Sequence, residues 1–180
     1  MSSNLQANRI NMQAFVQDGV PLAETTLLQN MERLAKEVQE LQPDSAVHWT
    51  AKGELRAQPG VEPEVWLHLQ AKADLPLTCQ RCMGAVIAPL EVDQWYRFVA
   101  TEDIAMADDD QSEEDLLVME PHFDLLAVLE DELLMALPLV PMHEQCPVTP
   151  MLSVGEVDIA SETAEKPNPF AVLAELKKKK

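Results

Sequence analysis

The sequence has few of the residues that several protein classes need. It contains 5 glycines, 3 cysteines and only 4% aromatic residues. The glycines are too scattered for a phosphate-binding loop, and the common nucleotide-binding and hydrolase motifs are absent. Three cysteines are too few for a disulfide framework, and an odd number is typical of a reducing compartment. The scarcity of aromatic residues predicts a mainly aliphatic core.

Long apolar runs are also missing. No uncharged apolar stretch approaches the ~20 residues that a membrane span needs. The first residues, MSSNLQANRINMQ, have no basic flank leading into an apolar segment, so no secretory signal is visible. Hydrophobic residues make up 47% and charged residues 24% of the chain, which favours a folded protein over a disordered one. We therefore expect a cytoplasmic globular protein with no membrane partner.

Positive charge is absent from the middle of the chain. Residues 98–165 contain 18 acidic residues and no Lys or Arg, whereas residues 166–180 contain 5 basic residues and 1 acidic residue. The net charge of the whole chain is −18. Such a field repels the phosphates of DNA and RNA and attracts basic proteins. Two interpretations stay open: the acids bind a basic partner, or they only keep the protein soluble.

Capping residues and helical spacing predict three helices in the first 140 residues. Asn11 predicts the N-cap of a short helix over 12–18 that stops at Gly19, followed by an extended link. A longer amphipathic helix is predicted to about Leu41, from the recurrence of Leu27, Met31, Leu34, Val38 and Leu41. Asp124 predicts the cap of a helix over 125–137 that ends before Pro138, with acids on its solvated side.

Alternation of apolar and polar residues predicts strands at 46–57, 65–75, 85–99 and 116–119. Gly53 is expected at a turn or bulge. The predicted fold class is α+β: an antiparallel sheet or partly closed β-barrel covered by two main helices, with a solvated acidic loop at 101–115 and a short C-terminal helix.

One domain is predicted over residues 1–152, followed by an acidic linker and a Lys-ended helix over 153–180. Within that last segment, Asn168 is a good N-cap and Pro169 suits the first helical position. Phe170 begins its apolar stripe. A helix this short is marginal in water unless it docks on a partner.

Two pairs of potential metal ligands stand out. Cys79 and Cys82 form a C-x-x-C on a loop between strands, and His143 and Cys146 form an H-x-x-C on a later loop. Both spacings suit a closed structural zinc site, and the alternative is a reduced cysteine pair with an unrelated Cys146. Arg81, between the two cysteines, either clamps a phosphate or carboxylate or donates to nearby loop carbonyls.

Three segments together resemble one family. They are TCQRC at 78–82, FDLLAVLEDELLMALPLVPMH at 123–143 and KPNPFAVLAEL at 166–176, in the family's order. The chain is similar to the YceD family of large ribosomal RNA subunit accumulation proteins. The resemblance implies binding roles for the positions that match its motifs: Cys79, Arg81, Cys82, Glu130, Asp131, Glu132, Pro138, Pro141, Pro167, Asn168, Pro169 and Phe170.

The same resemblance implies a role in the synthesis, processing or stability of 23S rRNA, and so in large-subunit biogenesis. The missing catalytic motifs predict that this role is non-enzymatic. The acidic segment favours a basic ribosomal protein or rRNA-processing factor as the partner. One alternative is direct binding of the 23S rRNA precursor through Arg81, Arg97 and the Lys177–Lys180 tail. Another is a small zinc-stabilised acidic adaptor unrelated to ribosomes, and a hidden nuclease or redox enzyme is disfavoured because the motifs are missing.

Overall fold

A computed structural model of the chain describes residues 6–57, 59–60 and 62–147. In these ranges the chain forms five strands, four α-helices and two short 3-10 helices. The strands are β1 (Leu22–Leu27), β2 (Ala46–Arg56), β3 (Glu64–Thr78), β4 (Ala85–Val99) and β5 (Asp115–Val118). The α-helices are α1 (Met12–Asp18), α2 (Leu34–Glu37), α3 (Glu102–Asp108) and α4 (Leu125–Met135).

The five strands form one sheet in the order β1-β2-β3-β4-β5. The first three pairings are antiparallel, but β5 runs parallel to β4. The sheet is therefore mixed, and it is open because β1 and β5 lie at opposite edges. The expectation of a purely antiparallel sheet or partly closed barrel was wrong on both counts. The long connection through α3 allows the parallel return, which a hairpin turn cannot make.

One face of the sheet carries most of the core. Side chains alternate between two faces along β3 and β4, and those on the inner face are almost fully buried. They are Leu67, Leu69, Ala71, Ala73, Leu75 and Leu77 of β3, with Ala88, Leu90, Val92, Tyr96 and Phe98 of β4. The helix α4 covers this face with Leu125, Leu129 and Leu133, each fully buried. The core is mainly aliphatic, as the composition predicted.

The predicted strands and two of the predicted helices are present. The four predicted strands agree with β2, β3, β4 and β5 to within three residues at each end. The side chain of Asn11 caps α1, and Gly19 ends it in the left-handed conformation at φ 64°. Asp124 caps α4 by accepting a hydrogen bond from the N–H of Ala127 at 3.0 Å.

Gly53 lies inside β2 rather than at a turn. A Cβ atom at this position would lie 2.8 Å from Cγ2 of Val16 and 3.1 Å from Cδ1 of Phe15. Both residues belong to α1, so the missing side chain lets this helix pack directly on the strand. The expectation of a turn or bulge was wrong, because a strand glycine also marks a close approach of another element.

The long helix predicted over 27–41 does not form. The segment ends β1 at Leu27, makes a 3-10 turn at Leu28–Asn30 and then a single helical turn, α2. Leu28, Leu34 and Val38 are still buried. The apolar residues are therefore in the core. Strand pairing of Leu27 at the start of the segment, and hydrogen bonds from the N–H groups of Arg33 and Leu34 to the Glu130 side chain in its middle, replace a continuous helix.

The segment predicted as an acidic loop at 101–115 contains α3 and a 3-10 turn. Thr101 caps α3, and Glu102 and Asp103 lie in its first turn, where negative charge is favourable. Arg97 of β4 binds this region: its guanidinium lies 3.5 Å from Asp108 and 3.2 Å from Glu114. The high density of acidic residues in the sequence did not indicate that this segment contains helical turns.

No helix in the described ranges is long and apolar enough to cross a membrane. The predicted boundary at residue 152 and the predicted linker and helix over 153–180 lie outside the described residues. Pro167, Asn168, Pro169, Phe170 and the lysine tail therefore stay predictions.

Truncation of the inner face should cost more than the same change at the sheet margin. Leu69→Ala removes a fully buried side chain, whereas Leu55→Ala changes one that is 49% exposed on β2. We expect Leu69→Ala to lower the free energy of unfolding by about 3 kcal/mol, and Leu55→Ala by less than about 1 kcal/mol. Chemical denaturation measures both, and equal losses would contradict this assignment of the core.

Candidate metal centre and acidic helix

The turn between β3 and β4 places two cysteines at the end of the sheet. The N–H of Cys79 donates to the carbonyl of Gly84, and the N–H of Met83 donates to the carbonyl of Cys79, both at 2.9 Å. Met83 has a positive φ of 61°, a left-handed conformation that closes the turn. The Cys79 side chain is fully buried, and that of Cys82 is partly exposed.

The chain that follows α4 returns to this turn. The N–H of Gln80 donates to the carbonyl of Pro141 at 2.9 Å, which joins the two loops. This contact brings His143 and Cys146 beside the cysteine turn. The ligand atoms of Cys79, Cys82, His143 and Cys146 all lie within 4.8 Å of one another. The structure therefore brings together all four ligands predicted from the two spacings.

Two separations between these atoms match a tetrahedral site. With metal–sulfur and metal–nitrogen bonds of ~2.3 and ~2.0 Å, tetrahedral geometry gives sulfur–sulfur distances of about 3.8 Å and sulfur–nitrogen distances of about 3.5 Å. Sγ of Cys79 lies 3.8 Å from Sγ of Cys146. Sγ of Cys82 lies 3.5 Å from Nδ1 of His143. The cluster could hold one metal ion with four protein ligands.

The ring of His143 is oriented as a ligand requires. Its Nε2 lies 2.8 Å from the carbonyl oxygen of Ala85, the first residue of β4. A carbonyl can only accept, so Nε2 carries the proton and donates it. In the neutral ring this leaves Nδ1 as the lone-pair atom, facing Cys82. A histidine held through its second nitrogen is typical of metal sites.

Arg81 is bound within the same cluster. Its Nε donates to Sγ of Cys146 at 3.0 Å, and its Nη2 donates to the carbonyls of His143 at 2.6 Å and Glu144 at 3.2 Å. This is the second of the two arrangements considered for Arg81, a fork that donates to loop carbonyls. Contact with an external phosphate or carboxylate stays a prediction.

The cysteines of the turn differ in their acidity. Burial raises the pKa of the Cys79 thiol, but hydrogen bonds from neighbouring backbone N–H groups, that of His143 foremost, lower it to about 5. The backbone N–H of Gly84 lowers the pKa of the Cys82 thiol, but burial and the nearby sulfurs outweigh it and raise that pKa. The site thus favours thiolate at Cys79, and thiolate is the metal-binding form.

Comparison with known proteins assigns the family. The family model for large ribosomal RNA subunit accumulation protein YceD matches residues 67–177. A Haemophilus influenzae protein of that name is 38% identical over 160 residues, which cover 83% of this chain and 83% of the relative. The chain belongs to the YceD family. No solved structure matches it significantly. The family resemblance inferred from the sequence is confirmed.

All four potential ligands and the whole of α4 fall within the region that matches the YceD family. The three acids of α4, however, occupy different environments. Glu130 is buried, with 9% of its surface exposed. The expectation that it lies on a solvated face was wrong for this residue, whereas Asp131 is exposed and Glu132 is partly exposed.

The carboxylate of Glu130 holds the start of α2. Its Oε1 accepts hydrogen bonds from the backbone N–H groups of Arg33 at 2.7 Å and Leu34 at 3.0 Å. Its Oε2 accepts from Nε of Arg33 at 3.0 Å, and Asp131 forms an ion pair with the same guanidinium. Burial raises the pKa of Glu130, but these donors outweigh burial and lower it. Glu130 therefore acts within the fold.

The outer face of the sheet contains a cluster that the sequence analysis missed. The guanidinium of Arg56 lies 3.8 Å from the ring centre of Trp66 and 4.4 Å from that of Trp95. The ring of His68 stacks on Trp95 with centres 4.1 Å apart, and its Nε2 lies 2.6 Å from Asp93. The sequence indicates this cluster only indirectly, since Trp66 and His68 occupy the polar positions in the alternating pattern of β3.

We expect Glu130→Gln to lower the free energy of unfolding by about 2 kcal/mol at neutral pH, because it weakens charge-assisted hydrogen bonds to buried donors. The control Asp131→Asn removes the exposed partner of the same Arg33 and should cost less than about 1 kcal/mol. Denaturant unfolding compares the two variants.

The Glu130 effect should also depend on pH. Because its pKa is lowered in the folded state, the carboxylate stabilises the fold above its ordinary pKa of about 4.3. That contribution is lost as the pH falls through the lowered value, so the gap between wild type and Glu130→Gln should close in acid. A gap that is constant with pH would contradict this role.

Proposed function

We propose that the chain is a non-enzymatic factor that supports accumulation of 23S rRNA and biogenesis of the large ribosomal subunit. Membership of the YceD family carries this proposal, since the Haemophilus influenzae relative is named for large ribosomal RNA subunit accumulation. The candidate metal cluster supports the non-enzymatic part, because four protein ligands leave no open position for a substrate.

The measurement is made in cells that lack the protein. We expect the ratio of large-subunit to small-subunit rRNA to fall, with precursor ends of 23S rRNA left unprocessed or degraded. Expression of the wild-type chain from a plasmid should restore the ratio. An unchanged ratio with normal precursor ends would overturn the proposed function.

We further propose that the chain acts by binding a basic ribosomal or rRNA-processing protein in the cytoplasm. The observation that favours this partner is a group of exposed acids after β4: Glu102, Asp103, Asp109, Asp110, Glu113 and Asp115. Within the described residues none of these six forms a salt bridge. Their charge is therefore available to a partner, unlike that of Asp108 and Glu114.

Direct binding of RNA is less well supported. Arg97 is surrounded by the carboxylates of Glu64, Asp108 and Glu114, and the guanidinium of Arg81 donates within the cysteine cluster. Both cations are thus engaged by the protein itself, although phosphate binding requires free Lys or Arg. The Lys177–Lys180 tail stays the remaining candidate for contact with the rRNA precursor.

The charge proposal is tested by a triple substitution, Asp109→Asn, Asp110→Asn and Glu113→Gln. We expect about tenfold weaker binding to purified basic large-subunit proteins at moderate salt, at roughly 0.5 kcal/mol per exposed charge. The matched control neutralises Glu32, Glu37 and Glu40, which are also exposed. Equal losses in the two variants would show that only the total charge matters.

The metal proposed for the Cys79, Cys82, His143 and Cys146 cluster is a structural zinc ion. Zinc prefers this set of thiolate and imidazole ligands, and it would join the β3–β4 turn to the loop after α4.

We expect one zinc per purified chain by elemental analysis. His143→Ala should release it and lower the thermal midpoint, whereas His122→Ala, at an exposed histidine outside the cluster, should retain it. Full zinc content in His143→Ala would contradict the proposal.

A further inference from the structure

Strand β4 has a long uncovered edge. On one side β4 pairs with β3 from Ala85 to Phe98. On the other side β5 pairs only with its last four residues, Tyr96–Val99. Within the described part of the chain, no strand therefore lies against the segment from Ala85 to Trp95. An edge of this length presents unpaired backbone donors and acceptors.

The backbone groups that face this edge follow from two hydrogen bonds at its ends. The carbonyl of Val99 accepts from the N–H of Met119, and the carbonyl of Ala85 accepts from His143, each at 2.8 Å. Consecutive residues of a strand direct their N–H and C=O groups to opposite sides. The outward groups between these two ends therefore belong to Ile87, Pro89, Glu91, Asp93 and Trp95.

Pro89 is consistent with this assignment, since proline lacks an N–H and is found in edge strands with that position facing outward. None of the other four residues has a backbone hydrogen bond to a loop or side chain in the described ranges. The edge therefore presents backbone N–H and C=O groups at the regular spacing that a neighbouring strand needs for pairing.

A groove runs beside this edge. Its first part, of about 320 Å³, is lined by residues 86–89 of β4 and by Pro138, Val140, Pro141 and Met142. Its second part, of about 370 Å³, is lined by residues 91–94 of β4 with Glu132, Met135 and Ala136. Ala136 lines both parts, so the two are neighbours along the strand.

The two parts of the groove differ in polarity. The first is lined by apolar residues and is accessible: Ile87 is 61% exposed and Val140 is 55% exposed. Met142, which is also exposed, lines the same part of the groove, and neighbouring apolar side chains left open on a folded protein mark sites of contact with other molecules. The second part is lined by three acidic residues, Glu91, Asp93 and Glu132. Glu91 and Asp93 bind Lys72 and His68 through their carboxylates, and Glu132 has no salt bridge in the described ranges. An occupant must therefore combine apolar side chains with positive charge.

We propose that the β4 edge binds an extended basic segment of a partner protein, which adds to the sheet as a further strand. Backbone hydrogen bonds would provide the pairing, apolar side chains would enter the groove beside Val140, and Lys or Arg would face Glu132. The inference rests on the proposed function in that the partner is the basic protein named there. A second copy of this chain is a poor occupant because its net charge is −18.

The experiment uses the full chain and a defined probe, the peptide acetyl-(Lys-Val)4-Lys-amide. Nuclear magnetic resonance measures hydrogen exchange of individual backbone amides with and without the peptide. We expect exchange at Glu91, Asp93 and Trp95 to slow at least tenfold, because their N–H groups gain partners. Amides of Leu90 and Val92 already face β3 and should not change.

A pair of variants tests the edge itself. Glu91→Pro removes the outward N–H, whereas Glu91→Ala removes the same charge and keeps the N–H. We expect Glu91→Pro to bind the peptide at least tenfold more weakly than Glu91→Ala. A control peptide with prolines in place of the valines carries the same charge and should not slow exchange in the wild-type chain, which keeps the test valid even if Glu91→Pro unfolds.

Three results would overturn the inference. The first is equal binding of both peptides without slower exchange at the edge, which would show attraction by charge alone. The second is equal binding of the peptide by Glu91→Pro and Glu91→Ala. The third is self-association of the wild-type chain that Glu91→Pro abolishes, which would make a second copy the occupant.

The two proposals fail separately. If folded Glu91→Pro and Glu91→Ala capture purified basic large-subunit proteins equally well, the edge is not the binding site, but the proposed function stands. If the wild-type chain captures none of these proteins while the peptide still protects the edge, the proposed partner is wrong and the edge inference stands.

Discussion

The antiparallel pairing of β3 with β4 is the constraint on which the rest of this structure depends. Its register places one set of alternate residues in the core and the other set on the outer face, where Arg56 contacts Trp66 and Trp95. The same pairing sets the cysteine turn at one end of the hairpin. It also decides which backbone groups of β4 face the open edge.

Polar contacts fix α4 on this aliphatic core at its middle and through the loop that follows it. Apolar packing is tolerant of small shifts, since Leu and Val side chains of similar volume repack at low cost. A buried carboxylate with three donors is much less tolerant, and Glu130 holds Arg33 and Leu34 in this way. After the helix, the loop with His143 and Cys146 returns to the β3–β4 turn. Specific hydrogen bonds thus position a helix that hydrophobic burial alone would leave free to slide.

The acidic residues of this chain perform separate tasks. Glu130 supports the fold, and Asp108 and Glu114 bind Arg97. The other acids of α3, Glu102 and Asp103, and those of the following turn, Asp109 and Asp110, remain exposed. The net charge therefore overstates the number of acidic groups that a partner can contact. Only the structure distinguishes the acids paired within the fold from the exposed ones. Membership of the YceD family points to the large ribosomal RNA, while the exposed acids and the β4 edge describe how a basic protein could be recognised.

Local patterns in the sequence determined the strands β2 to β5, the caps of α1 and α4, and the spacing of each half of the cysteine–histidine cluster. Each of these depends on residues only a few positions apart, through strand alternation or a capping side chain. The tertiary structure decided the features that depend on contacts between residues far apart in the sequence. Glu130 captures the backbone at Arg33 across 97 positions, and Cys82 meets His143 across 61. No local periodicity encodes those contacts, and they replaced the helix predicted over 27–41 and joined the two halves of one site.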